Sequence, residues 1–175
     1  IDMKKTYLHF GIAFLLAIVF TFPGGELFGQ GCLPSMLGYW RLGEGSGPVY
    51  ADTSGADRDA IAIGSPSQIA GISGRAQQFS LSGSTYLIIP DDPVFDWTTI
   101  QSFSIELWVK YTRTSGNVMV FTARNDYPSS LAQWWIGSEN GRITFYFRGS
   151  GGPSGYIASP VSYADGNWHQ VVAVR

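Results

Sequence analysis

Cysteine is almost missing from this sequence. Cys32 is the single thiol among 175 residues, so no disulfide can form within the chain and a small scaffold held together by such bridges is excluded. Charge is scarce too: charged side chains make up 14% of the residues and the net charge is -2, which leaves no basic stripe for a phosphate backbone and excludes a nucleic-acid-binding role. The apolar run from Phe10 to Phe22 is broken only by Gly11 and Thr21, and it falls short of the roughly 20 residues a bilayer-spanning helix needs. Outside it no amphipathic helical stretch of useful length appears, because glycine, proline and β-branched residues interrupt every window. Catalytic signatures are lacking as well. There is no Gly-x-Ser-x-Gly elbow, no His-Glu-x-x-His zinc motif and no phosphate loop. A retaining glycosidase needs two carboxylates about 5 to 5.5 Å apart, yet Glu106 stands alone in its strand and Glu139 sits at a turn.

What the chain does have is apolar and aromatic material cut into short pieces. Hydrophobic residues reach 45% and aromatic ones 15%, enough for a sizeable core in a single domain. The 22 glycines and nine prolines have no collagen period and fall between apolar runs, the pattern of many short strands joined by turns. The expected class is all-β, a two-sheet antiparallel sandwich.

Residues 1–31 read as a signal peptide with two extra residues, Ile1 and Asp2, before the start at Met3. Met3-Lys4-Lys5 supplies a basic start, the apolar run follows, and Pro23-Gly24-Gly25 breaks the helix ahead of a small-residue region ending at Gly31. The expected localisation is therefore secreted or cell surface, and the style of the leader points to a bacterial source. Cys32 follows Gly31 directly, as in a lipoprotein signal, although Gly29 stands where such signals carry leucine. Lipidation of Cys32, a free thiol, or half of a disulfide with a partner beyond residue 175 are the alternatives. Residues 32–36 then read as a linker, and 37–175 as the domain. Gln170 to Arg175 reads as a strand with no turn after it, so the domain is expected to be incomplete at its C-terminal side.

The strand pattern predicts a first strand over Leu37–Leu42 and an irregular stretch from Val49 to Gly74 whose Asp and Ser residues favour turns. A pair follows at Ala76–Leu81 and Tyr86–Ile89, ended by Pro90 and Pro93. Phe103–Tyr111 is rich in aromatic and apolar residues and reads as a central strand covered on both sides, with Val118–Ala123 as its neighbour. Asn140-Gly141 signals a two-residue type I′ hairpin turn. It predicts that Glu139 faces Arg142, Ile136 faces Phe145, Trp135 faces Tyr146, Trp134 faces Phe147 and Gln133 faces Arg148. Alternation then puts Trp134, Ile136, Ile143, Phe145 and Phe147 on a core face. Gln133, Trp135, Thr144, Tyr146 and Arg148 fall on the opposite face. Sugar rings stack their C-H faces on such aromatic residues while their hydroxyls take the flanking polar groups, so Gln133, Trp135, Tyr146 and Arg148 are the candidate ligand-binding residues. Ordinary packing of a Trp135 to Tyr146 cross-strand pair is the competing reading.

Three aromatic-anchored segments tie these strands to a family: Gly38-Tyr39-Trp40-Arg41-Leu42-Gly43-Glu44-Gly45-Ser46-Gly47, Phe103-Ser104-Ile105-Glu106-Leu107-Trp108-Val109-Lys110 and Asp165-Gly166-Asn167-Trp168-His169-Gln170-Val171-Val172. With Asp52-Thr53-Ser54-Gly55 and Gly74-Arg75-Ala76-Gln77-Gln78-Phe79, they resemble the laminin-G-like, concanavalin A-like jelly-roll family of secreted proteins. The resemblance implies a jelly-roll sandwich in which Trp40, Trp108 and Trp168 are core residues and His169 is a framework residue with no obvious acid partner. Members often bind calcium through oxygen ligands on loops at one rim. The candidates for that role are Asp91, Asp92, Asp96, Asn125 and Asp126, although Thr85-Tyr86-Leu87 and Ser82-Gly83 lack carboxylates many members carry. No other cofactor is expected. For function the resemblance implies a non-catalytic carbohydrate- or protein-binding, adhesion module of a larger exported protein, with a glycan or a cell-surface protein as partner. Membrane contact is expected only through the leader or a lipid on Cys32. The alternatives are an accessory domain of a secreted carbohydrate-active enzyme and a structural spacer of a surface protein.

Overall fold

Alternating side chains and closely spaced turn residues divide the chain into short antiparallel strands. The computed structural model describes residues 35–45, 47–97, 100–116, 118–124, 133–148 and 154–175, with only the backbone of Gln133. The leader, Cys32, Asn125 and Asp126 lie outside the described residues. The strands are β1 (Val49–Tyr50), β2 (Ala60–Ile63), β3 (Ser67–Ala70), β4 (Arg75–Gln78), β5 (Tyr86–Ile88), β6 (Ser104–Lys110), β7 (Met119–Arg124), β8 (Gln133–Glu139), β9 (Arg142–Arg148), β10 (Ser154–Ala158) and β11 (Trp168–Val174). A single 3-10 turn, Pro93–Phe95, separates β5 from β6, and no α-helix occurs among the described residues. The strands form a four-stranded sheet in the order β10-β9-β8-β7, a three-stranded sheet β1-β2-β5, and two pairs, β11-β6 and β3-β4. The architecture is all-β and antiparallel, as in a concanavalin A-like jelly roll, and its sheets do not close.

The β8–β9 hairpin has the predicted register. Asn140 (φ 51°) and Gly141 (φ 79°) take the left-handed conformations of the expected turn. Trp135 lies opposite Tyr146, Ile136 opposite Phe145 and Gln133 opposite Arg148. On the inward face Trp134, Ile136 and Phe147 are buried, and Phe145 packs beside them. The core is built around Trp97, which stacks on Phe103 at 3.8 Å between ring centroids and on Trp134 at 5.4 Å. Ile105 of β6 and Leu37 close the cluster. Stacked aromatic pairs of this kind contribute about 0.5–1.5 kcal/mol beyond their buried area.

Elsewhere long-range pairing departs from the sequence expectation. Leu37–Leu42 forms only an isolated bridge, Trp40 to Asp52, and Leu42 at its end takes φ 56°. The stretch expected to be irregular holds β1, β2 and β3, strands of two to four residues too short to show a pattern. The segments read as one pair do not meet: β4 pairs with β3, and β5 with β2. The partner of β6 is β11, not β7, which pairs with β8. β6 is also covered on one side only. Its buried and exposed positions alternate, which leaves Trp108 46% exposed beside Glu106 and Lys110 on the outer face. Trp40 and Trp168 are half-buried, and Trp40 donates its ring N-H to the Arg58 carbonyl at 2.8 Å.

Candidate functional site

The outward face of the four-stranded sheet is ordered in rows, because residues in register across adjacent antiparallel strands point the same way. One row is aromatic: Trp135 on β8, Tyr146 on β9 and Tyr156 on β10. Trp135 and Tyr146 are half-buried and stack with centroids 6.1 Å apart and planes 24° from parallel. Tyr156 is 58% exposed. Toward the hairpin the next row is small: Gly137, Thr144 and Ala158. Gly137 has no alternative, since a Cβ there would lie 2.3 Å from the Met119 carbonyl oxygen of β7. Beyond it come Glu139 and Arg142, opposite one another at the hairpin end.

The small row between the aromatic row and the charged row is covered, with Gly137 and Thr144 buried, and a groove opens beside it. A cleft of about 580 Å³ lies there, lined by Glu139, Asn140, Arg142, Thr144, Tyr156 and Ala158. Tyr156 leans across β9 and donates its hydroxyl to Glu139 Oε2. That hydrogen bond to a carboxylate, followed by burial, pushes the phenol above its usual range. Thr144, directed outward by alternation, is nevertheless 0% exposed, because Tyr156 spans the row in which it sits. Its hydroxyl contacts the Arg142 carbonyl at 3.3 Å.

The four residues read as a binding set are thus partly brought together. Trp135 and Tyr146 form the stacked pair, Arg148 is exposed one row further along, and the side chain of Gln133 lies outside the described residues. Glu139, Arg142 and Tyr156 are not among the candidate ligand residues that the sequence suggests. The first two were available from the hairpin register. Tyr156 was not, because β10 is five residues held between Pro153 and Pro160.

The rim carboxylates serve arginines. Arg58 Nε donates to Asp92 Oδ2 at 2.5 Å, and Arg124 contacts Asp91 Oδ1 at 2.9 Å and also Asp96. Asp92 additionally caps the 3-10 turn by accepting from the Val94 N-H at 2.9 Å. That bond and the Arg58 guanidinium hold its carboxyl below the ordinary range. Asp91, Asp92 and Asp96 are therefore each paired with an arginine, while Asn125 and Asp126, the other two candidates for a calcium site, lie outside the described residues. Among the described residues no group of three His, Cys, Asp or Glu converges as metal ligands would. His169, expected to lack an acid partner, has one: its Nε2 lies 2.8 Å from Asp165 Oδ1, and its ring meets Tyr163 edge-on at 5.0 Å.

Asp52 shows why the N-terminal motif is structural. Burial works to raise its pKa, but hydrogen bonds from the backbone N-H groups of Tyr39, Ser54 and Arg58 outweigh burial and hold it low. Its carboxylate thereby ties the 52–59 loop to the segment before β1.

Comparison with curated proteins and with solved structures gives no match. A family model, Laminin_G_3 of the concanavalin A-like lectin/glucanases superfamily, matches residues 81–175. That span holds β5 to β11, hence the whole four-stranded sheet with its groove and two of the three motifs behind the resemblance. The chain belongs to this laminin-G-like family of the concanavalin A-like superfamily.

Proposed function

We propose that the chain is a non-catalytic glycan-binding module of a larger exported protein, and that the row Trp135, Tyr146 and Tyr156 with its adjoining groove is the binding surface. The observation that carries this reading is the row itself. Three aromatic side chains lie in register on three adjacent strands of a face turned away from the core, about 4.8 Å apart from strand to strand. Sugar rings offer apolar faces to such platforms and hydroxyls to flanking polar groups. Catalysis is no part of the proposal: hydrolysis requires two carboxylates, and among the described residues the acid on this face, Glu139, is bonded to Tyr156. Export rests on the basic start, apolar run and small-residue region of residues 3–31.

Adhesion to a surface protein is a second reading, favoured by one observation. On the sheet β1-β2-β5, Val49, Ile61, Ile63, Tyr86 and Ile88 share one face and are between 38% and 50% exposed. A glycan array probed with the chain and with its Trp135→Ala and Tyr146→Ala variants separates the two. Glycan binding that each variant weakens by about fivefold or more, the loss of a 1–3 kcal/mol stacking contact, supports the module proposed here. An array with no signal, or signal indifferent to both changes, removes the platform.

A further inference from the structure

We propose that the free edge of β10 is a dimerisation surface: two copies of this chain pair β10 with β10, antiparallel about Tyr156, and join their four-stranded sheets into one continuous sheet. The inference goes beyond the glycan-binding reading and does not depend on it.

β10 ends the four-stranded sheet, and among the described residues no strand lies on its other side. The phase of its hydrogen bonds decides which backbone groups are left over. The Ser159 N-H donates to the Ile143 carbonyl at 2.8 Å, and these two residues follow the pair Ala158 and Thr144 in register. Directly opposite residues of an antiparallel pair alternate between exchanging both hydrogen bonds and exchanging none. Ile157 and Gly155 therefore bond to β9, while the N-H and C=O groups of Ser154, Tyr156 and Ala158 point away from it into the open edge. Such a row is a template for another strand, which is why edges are ordinarily blocked by a charge, a proline or a bulge. β7, at the opposite edge of the sheet, has a bulge between Val120 and Thr122 and carries Arg124. β10, with the sequence Ser-Gly-Tyr-Ile-Ala, has none of these devices.

The strand that fits this edge is β10 itself. Paired about Tyr156, it sets Tyr156 opposite Tyr156 of the second copy, Ser154 opposite Ala158 and Gly155 opposite Ile157. The Tyr156 pair and the Ser154 and Ala158 pairs are those whose backbone groups are left over, so each exchanges both hydrogen bonds. Ile157 lies opposite Phe145 on the core-side face, yet it is 67% exposed. In the pair it covers the bare backbone of Gly155 of the second copy, and a large side chain opposite an edge glycine stabilises such a pair. The space is open, since even a Cβ on Gly155 would meet nothing within 4 Å. Tyr156 leans back over β9 to Glu139, which keeps its ring clear of the two-fold axis. β10 carries no charge, so no like charges meet. The two-fold pairing closes on itself and the bulged β7 edge stops further growth, giving a dimer rather than a fibre. Five residues a side bury less than the roughly 1,200 Å² of a standard interface, so the association is weak. Its consequence for the candidate face is that the row Trp135, Tyr146 and Tyr156 runs on into its counterpart as one longer platform.

The test is sedimentation equilibrium of the full chain at concentrations up to about 1 mM, the range of weak association, with residue-resolved amide exchange by NMR. The expected result is a monomer–dimer equilibrium in which the amides of Ser154, Tyr156 and Ala158 gain protection as concentration rises. Those of Gly155 and Ile157, already bonded to β9, should not change. Ala158→Pro removes one outward N-H and leaves the β9 ladder intact. Because the two-fold axis doubles the loss, it should raise the dissociation constant about tenfold or more. Ile157→Lys, which supplies the charge that guards other edges, should do the same without altering the backbone. A chain that stays monomeric through that range overturns the inference. So does association that is indifferent to both substitutions, or that protects residues outside β10 instead. None of these outcomes touches the glycan array, which reads the aromatic row of a single copy.

Discussion

Asp165 and His169 lie four residues apart and meet through one hydrogen-bond contact of 2.8 Å, while the same carboxylate oxygen accepts from the Asn167 N-H at 2.9 Å. His169 first, then Asn167, lowers the Asp165 pKa to about 2, from about 3.9 in an unfolded chain. A carboxyl depressed on folding stabilises the native state above its unfolded pKa, and that contribution disappears as pH falls through the folded value. The thermal midpoint should therefore drop between pH 4 and 2, and Asp165→Asn should flatten that part of the profile. An unchanged slope in the variant would show that the pair carries none of the acid sensitivity. This contact escaped the sequence because His169 was read along its strand, whereas its partner sits in the turn that leads into that strand.

At the scale of the element, the β8–β9 hairpin holds the candidate face in place, and its turn is the part most open to test. Gly141 has φ 79°, and a Cβ there would lie 2.3 Å from Ser162 Oγ. Its carbonyl oxygen accepts from both the Tyr111 hydroxyl and the Tyr163 N-H at 2.8 Å. Gly141→Ala should cost more than about 1 kcal/mol of unfolding free energy in urea titration. Asn140→Gly, at a position that accepts glycine equally well, should cost clearly less. Two turn residues specify a register, which is why Trp135 and Tyr146 could be paired from the sequence. No comparable local signal marks β10, and Tyr156 enters the groove only because β10 docks on β9 and its side chain crosses to Glu139 on β8.

Across the whole molecule, tryptophans that look alike in the sequence carry different loads. Trp134 is 7% exposed and stacks on Trp97, while Trp108 is 46% exposed on the outer side of the β6–β11 pair. Trp134→Ala should cost about 3–5 kcal/mol, the usual range for emptying an aromatic core position. Trp108→Ala should cost about 1 kcal/mol or less, as for substitutions near the surface. Similar losses from chemical denaturation of both would mean that the outer face is covered. The all-β character, the hairpin register and the division of its side chains into a core face and an outward face follow from the sequence alone, because a period of two and an Asn-Gly turn act within a few residues. The joining of β6 to β11, whose Glu106 and Gln170 are bonded across 64 positions, was decided only by the tertiary structure. So was the choice of Glu139 for Tyr156 over Arg142. Partners far apart in the chain are selected by competition among whole packings, and no local pattern records which one wins.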